Sequence, residues 1–308
     1  MKGEQVRAVA TSGPLGAEIL CGDLRLLDDG GIACLRRAWL EHLVVLVRGQ
    51  QITDDDLIAF GRRLGELDLA PLAKTGVEKE RAHPEVIVVS NVLENGQAIG
   101  VLRDAEVVWH SDNSYRETPL SFSALYSIEV PPSGGDTGFA NMYLALETLP
   151  GDLRQRIESL TIKHDMTYNS AGDLREGFQP VNDVRDAPGP CHPVVRTHPE
   201  TGYNALYLGR RPNAYIQGLP VAESESLLDA LWAHATQAQF TWHHQWRAGD
   251  LLIWDNRCVM HHRDPFNAGS RRVMHRIQGK GDRPTREPDA QHAAHPRSAA
   301  TAPRRAAL

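Results

Sequence analysis

Leu251-Leu252-Ile253-Trp254-Asp255-Asn256-Arg257-Cys258-Val259-Met260-His261 is the stretch on which the fold turns. Leu251–Trp254 is a short apolar strand, and Trp254-Asp255-Asn256-Arg257 shapes a turn that leads to a histidine. Similar short apolar strands, broken by Gly, Pro and Asn, recur at Val86–Ser90, Ala124–Val130 and Ala205–Leu208. Upstream the pattern differs. Gly16–Arg48 reads as a short strand and then an amphipathic helix, with Ile32, Leu35, Trp39, Leu40 and Leu43 at helical spacing. Leu43–Val47 is a compact β-branched run suited to a buried strand. Thr53, followed by Asp54, Asp55 and Asp56, is an N-cap with an acidic first turn, and the helix it starts should end near Gly65. A further helix is expected at Ala222–Ala235, burying Leu227, Leu228 and Leu231. Helices first and many short strands after them predict a mostly β chain, a β-sandwich or jelly roll flanked by helices.

The chain has 308 residues, 41% hydrophobic and 23% charged, which suits one sizeable core. We expect one domain over residues 1–282. Met166–Pro193, rich in Gly, Asp, Asn and Pro, reads as a long loop of the kind that covers active sites. Arg283–Leu308 has no apolar periodicity and is expected to be a disordered tail, with His292 and His295 solvated. The net charge of −6 without a long basic stripe argues against a nucleic-acid partner. Cys21, Cys34, Cys191 and Cys258 form no C-x-x-C pair, no signal-like apolar stretch opens the chain, and no run is long enough to span a bilayer. A soluble cytoplasmic protein with reduced thiols, assembling as a homo-oligomer, is the expectation.

Two segments carry the chemistry: Val108-Trp109-His110-Ser111-Asp112 and the stretch ending at His261. Residues two apart on a strand point to the same face, so His110 and Asp112 can grip one ion. His261 lies 151 residues downstream (261 − 110). Two imidazoles and one carboxylate leave three coordination positions open, the ligand set of oxygen-activating non-haem Fe(II) sites. Zinc would more often close with a fourth protein ligand or use another set. Arg272 and Arg276 share one face of a strand in Arg271–Arg276. Two inward arginines are costly without anions to meet them, and one anion for each is the simplest reading.

With those residues in view, the chain resembles the taurine dioxygenase / 2,4-dichlorophenoxyacetate dioxygenase family of Fe(II)/2-oxoglutarate enzymes. The resemblance runs from about Gly16 to Asp282. It rests on Trp109-His110-Ser111-Asp112, Val130-Pro131-Pro132-Ser133-Gly134-Gly135-Asp136-Thr137, Gly249-Asp250 through His261, and Arg271–Arg276. It implies a double-stranded β-helix, iron held by His110, Asp112 and His261, and Thr137 with Arg272 as partners of the distal carboxylate of 2-oxoglutarate. It implies that Arg276 meets the acidic group of a small anionic substrate, with Asn91 and Lys74 lying where the family builds its substrate pocket. O2 is the further cosubstrate, and succinate and CO2 the co-products. Ala70 and Pro71 stand where the taurine branch has a histidine, which points away from taurine and towards an aryloxyalkanoate, sulfate ester, sulfonate or other carboxylate.

Two rival readings stay open at this stage: a cupin-like hydrolase or isomerase that needs no 2-oxoglutarate, and a non-catalytic binding protein on the same fold. His262, next to His261, should point to the opposite face of its strand. His243 and His244 read as cross-strand or surface histidines, and Cys258 as a small buried residue.

Overall fold

The computed structural model describes residues 6–70, 82–102, 107–170 and 172–287. Two sheets face each other. The larger runs Arg7–Ala10, Ala17–Leu20, Val44–Val47, Leu251–Asp255, Phe122–Glu129, Val273–Gly279, Ile87–Ser90, Val101–Leu102. The smaller runs Thr241–His244, Thr137–Asn141, Val259–Arg263, Val107–His110. The chain winds from one sheet to the other: Val107–His110 lies in the smaller, Phe122–Glu129 in the larger, Thr137–Asn141 in the smaller again. Thr241–His244, Leu251–Asp255, Val259–Arg263 and Val273–Gly279 repeat the alternation. This winding is the jelly roll, and its central pairings are antiparallel.

The strand Leu251–Asp255 shows why the sequence folds this way. All five residues are buried, because the strand has a core on each face. Leu252 and Trp254 pack between the two sheets with Leu125, Phe139, Met260 and Met274. Leu251 and Ile253 face the other way, against the helical layer that includes Leu35, Trp39, Leu57 and Phe60. That layer is the helix Asp29–His42, capped by the Asp28 carboxylate, and the helix Asp54–Leu64. The second has the expected Thr53 cap, completed by Asp56 as a capping box, and stops before Gly65. The third expected helix is found as Val221–Ala235, with Leu227, Leu228 and Leu231 buried.

Two expectations on the loops need adjustment. The long loop within 166–193 closes with a strand, Cys191–Pro193, paired to Thr161–Lys163. Its middle is pinned by Arg175, which donates to the Tyr115 hydroxyl at 3.1 Å and lies over that ring at 4.0 Å. The expected disorder from Arg283 onward does not hold for its first residues. Pro284 is buried, Thr197 N–H donates to the Thr285 carbonyl at 2.8 Å, and Glu287 N–H donates to the Thr197 hydroxyl at 3.0 Å. Arg286 also pairs with Glu158. Backbone hydrogen bonds of this kind leave no compositional trace, which is why the segment read as a tail. Residues 288–308, with His292 and His295, lie outside the described residues.

One buried histidine carries a pH prediction. His164 is 2% exposed and packs against the rings of His192 and Tyr207, and among the described residues neither ring nitrogen has a hydrogen-bond partner. Burial, and then the neighbouring His192, hold its imidazole well below the usual value. The unfolded chain therefore binds a proton that the folded chain refuses. Stability is unaffected above about pH 6.5 and falls with pH below it, by up to ~1.4 kcal/mol per pH unit, until the folded-state value is reached. The melting temperature should drop between pH 7 and pH 5, and His164→Leu should flatten that drop. Equal slopes in the variant and the parent would show that His164 does not titrate in this way.

Candidate metal centre and anion pocket

His110 closes the strand Val107–His110 and stands directly across from His261 in the antiparallel ladder. Their rings lie 4.2 Å apart, centroid to centroid. Asp112 completes the group: His110 Nε2 is 3.6 Å from Asp112 Oδ1, and His261 Nε2 is 3.9 Å from Asp112 Oδ2. The three ligand atoms lie within 4.8 Å of one another, and all three residues are buried.

The surroundings suit the three groups to a cation. His110 Nδ1–H donates to the Val108 carbonyl at 2.7 Å, which fixes the ring with Nε2 turned toward Asp112. Burial, followed by the neighbouring His110, pushes the His261 imidazole well below its usual value and keeps it neutral. Burial alone would raise Asp112, but Arg276, then His261 and His110, outweigh it and hold the carboxyl well below the usual carboxylate range. The carboxylate is steadied by a chain of donors. Ser123 Oγ–H donates to Asp112 Oδ2 at 2.7 Å, Asn256 donates to Ser123 Oγ at 3.0 Å, and Trp254 Nε1–H donates to Asn256 Oδ1 at 3.0 Å. Two imidazoles and an ionised, oriented carboxylate fit a divalent first-row metal. Trp254 and Phe139 wall the His261 ring at 4.7 and 6.2 Å.

A few residues away is a cation without an anion. Arg272 is 2% exposed, and among the described residues its guanidinium makes no hydrogen bond or ion pair, with Nε left without an acceptor. Burial, and then the nearby Arg263, push it down to about 9, so it is still charged at pH 7. Arg263 and Arg272 flank the Phe266 ring at 5.5 and 5.9 Å. Thr137 pairs in register with Arg263, and its buried hydroxyl accepts from Trp246 Nε1–H at 2.9 Å, which leaves the hydroxyl proton to be donated. The turn before Thr137 runs through Gly134 and Gly135 at φ +74° and +71°. A Cβ on Gly134 would meet the Pro265 carbonyl at 2.8 Å, so only glycine lets this turn close over the pocket. Among the described residues, the buried Arg272 guanidinium and the Thr137 hydroxyl donor make an anion pocket, with Arg263 beside it.

The other expected residues divide. Arg276 is half-buried and donates to Asp112 Oδ1 at 3.3 Å, so it stands beside the metal ligands. Asn91 was expected to line a substrate pocket. Its amide instead donates to the Ala268 and Ser270 carbonyls and accepts from Arg272 N–H at 3.0 Å, bracing the backbone that carries Arg272. Lys74 lies outside the described residues. His262 points away from His261, as strand alternation requires, and His244 is bonded to Asp250 at 3.0 Å. Cys258 is buried, and burial pushes its thiol up. Sequence reasoning missed Ser123 and Arg263. Ser123 is one of three hydroxyl-bearing residues in the strand Phe122–Glu129, with Tyr126 and Ser127, and nothing local singles it out; Arg263 could have been found from its two-residue spacing from His261.

The chain is similar to several known dioxygenases. The (S)-phenoxypropionate/alpha-ketoglutarate-dioxygenase of Sphingobium herbicidovorans is 36% identical over 273 residues, covering 87% of this chain and 92% of that protein. The alpha-ketoglutarate-dependent 2,4-dichlorophenoxyacetate dioxygenase of Cupriavidus pinatubonensis is also 36% identical, covering 82% and 90%. A crystal structure of AAD-2 in complex with Mn(II) and N-oxalylglycine superposes with a TM-score of 0.74 at 29% identity, over 92% of this chain and all of that one (100%). Residues 7–278 match the family described as taurine catabolism dioxygenase TauD, TfdA, and the chain belongs to that family.

Proposed function

We propose that the chain is an Fe(II)- and 2-oxoglutarate-dependent dioxygenase that hydroxylates a small anionic substrate, with succinate and CO2 as co-products. The observation that carries the reading is the pairing of a buried His–Asp–His cluster with a buried arginine that has no counter-ion. A metal hydrolase needs the first and has no use for the second. Iron(II) bound with 2-oxoglutarate supplies the oxygen activation and the oxidation of the substrate.

The residues have separate tasks in this reading. His110, Asp112 and His261 hold iron on one side and leave the other side for ligands. Arg272, with the Thr137 hydroxyl, pairs with the distal carboxylate of 2-oxoglutarate. Arg276 presents a charge beside the metal ligands and meets the acidic group of the substrate, giving up or sharing its contact with Asp112. Trp254 and Phe139 keep the centre apolar on one side. Two relatives named for phenoxypropionate and 2,4-dichlorophenoxyacetate support an aryloxyalkanoate as the first class to try. Among the described residues no helix is long and apolar enough to cross a membrane.

The test is oxygen uptake and succinate formation with added Fe(II) and 2-oxoglutarate, over aryloxyalkanoates, sulfate esters, sulfonates and other small carboxylates. The expected result is succinate formation stimulated by at least one of these acids and matched by hydroxylated or fragmented product. Turnover of any such substrate without 2-oxoglutarate would sink the reading.

A further inference from the structure

The outer face of the smaller sheet carries a second group of metal-binding side chains. His243 and His262 both pair in register with Gly138, one from each side. The three strands therefore set two imidazoles on the same face with only a hydrogen between them. A Cβ on Gly138 would lie 2.3 Å from His262 Nε2 and 2.9 Å from His243 Cε1, so the glycine opens the gap in which the rings converge to 5.1 Å. Asp264 follows on the His262 strand, with Oδ1 3.7 Å from His262 Nδ1. One nitrogen from each ring and one carboxylate oxygen lie within 4.8 Å of one another.

We propose that His243, His262 and Asp264 form a second site for a divalent first-row cation, separate from the oxygen-activating centre. Any such nitrogen and oxygen set holds zinc and copper more tightly than iron(II), so these two ions are the probes for it. His262 is 7% exposed, and among the described residues its Nε2 has no hydrogen-bond partner, so a buried imidazole is left for a ligand. His243 is exposed and leaves an entry path. Asp136 stands by, its carboxyl raised by burial and then by the nearby Asp264, a crowding of acids that a cation would relieve. His262 follows His261 directly, so an ion here clamps the strand that holds the oxygen-activating centre from its outer face. Trp109 lies 4.1 Å from His262 and reports on it.

The experiment is equilibrium dialysis of the full chain against Zn2+, with Trp fluorescence under Cu2+ as a second readout. Wild type should hold about two Zn2+ per chain, one for each ligand set. His243→Ala and Asp264→Asn should each hold one fewer, and the exposed position of His243 makes misfolding a poor explanation for its loss. His110→Ala/Asp112→Ala should keep the outer ion and its quenching of Trp109, and Trp109→Phe should remove most of that quenching. Equal Zn2+ content in wild type, His243→Ala and Asp264→Asn would overturn the proposal, as would loss of all Zn2+ from His110→Ala/Asp112→Ala. None of these readouts depends on turnover, so failure of the dioxygenase reading and failure of this one can be told apart.

Discussion

Asp112→Ala should abolish turnover, with a loss of more than about a thousandfold at saturating 2-oxoglutarate and substrate, and excess Fe(II) should not recover it. The reasoning compares it with the residue that only steadies it. Losing the partner of a metal ligand typically costs about 10–100-fold in metal affinity or activity. Ser123→Ala, which removes the donor 2.7 Å from Asp112 Oδ2, belongs in that range and should be largely rescued by excess iron. Removing the carboxylate itself deletes a ligand and leaves Arg276 facing two imidazoles with no negative charge among them. A cation then meets repulsion where it met attraction, so the loss must exceed that of Ser123→Ala and must resist rescue. Iron titrations of activity for both variants, with bound iron measured separately, check this. Rescue of Asp112→Ala to near wild-type rates by iron would mean that the carboxylate is not a ligand.

The metal cluster was legible in part because some of it depends on rules that act locally. Strand alternation separated His261 from His262, but it does not account for Asp112, which lies in the turn that follows the strand Val107–His110. The link across 151 residues between His110 and His261 is a different matter. It depends on ladder register, which no local pattern encodes, and it came from recognising the order of the motifs. Arg272 was legible for an energetic reason: a buried guanidinium needs an anion, and the structure has it buried with none.

What escaped the sequence were groups whose role comes from the fold around them. Ser123 reads as a polar break in Phe122–Glu129 until the strand is placed behind Asp112. Asn91 reads as a pocket residue until its amide is seen to be used by the Ala268 and Ser270 carbonyls. His243 and His262 looked like bystanders, each unremarkable by itself. Their meeting over Gly138 requires three strands in register at once. The segment Arg283–Glu287 escaped because it docks through its backbone and two ion pairs, and not through an apolar face.

Arg272→Leu should raise the KM for 2-oxoglutarate by about ten- to 150-fold, the equivalent of the ~1.5–3 kcal/mol of one charge-assisted pair. The same variant should melt at or above the temperature of the parent when no cosubstrate is present. Burying a guanidinium with no counter-ion is unfavourable, so an apolar replacement removes a cost in the free protein that outweighs the void the shorter leucine leaves. An arginine that merely props up the fold would show the reverse, a lower melting temperature with an unchanged KM. Arg276 provides the contrast. It is half-buried and already paired with Asp112, so Arg276→Leu should weaken the acidic substrate and leave 2-oxoglutarate binding near its parent value. Arg272 just precedes the strand Val273–Gly279 and Arg276 lies within it, four residues on, roughly 13 Å along an extended chain and too far for one small anion to bridge. A badly held substrate should also uncouple the reaction in Arg276→Leu, giving more succinate than hydroxylated product. The measurements are the two KM values for each variant, the product ratio and a thermal melt without ligands. If both variants shift both KM values equally, the arginines do not divide the two anions between them, and the distal carboxylate of 2-oxoglutarate must be held elsewhere, with Arg263 beside Thr137 the first residue to test.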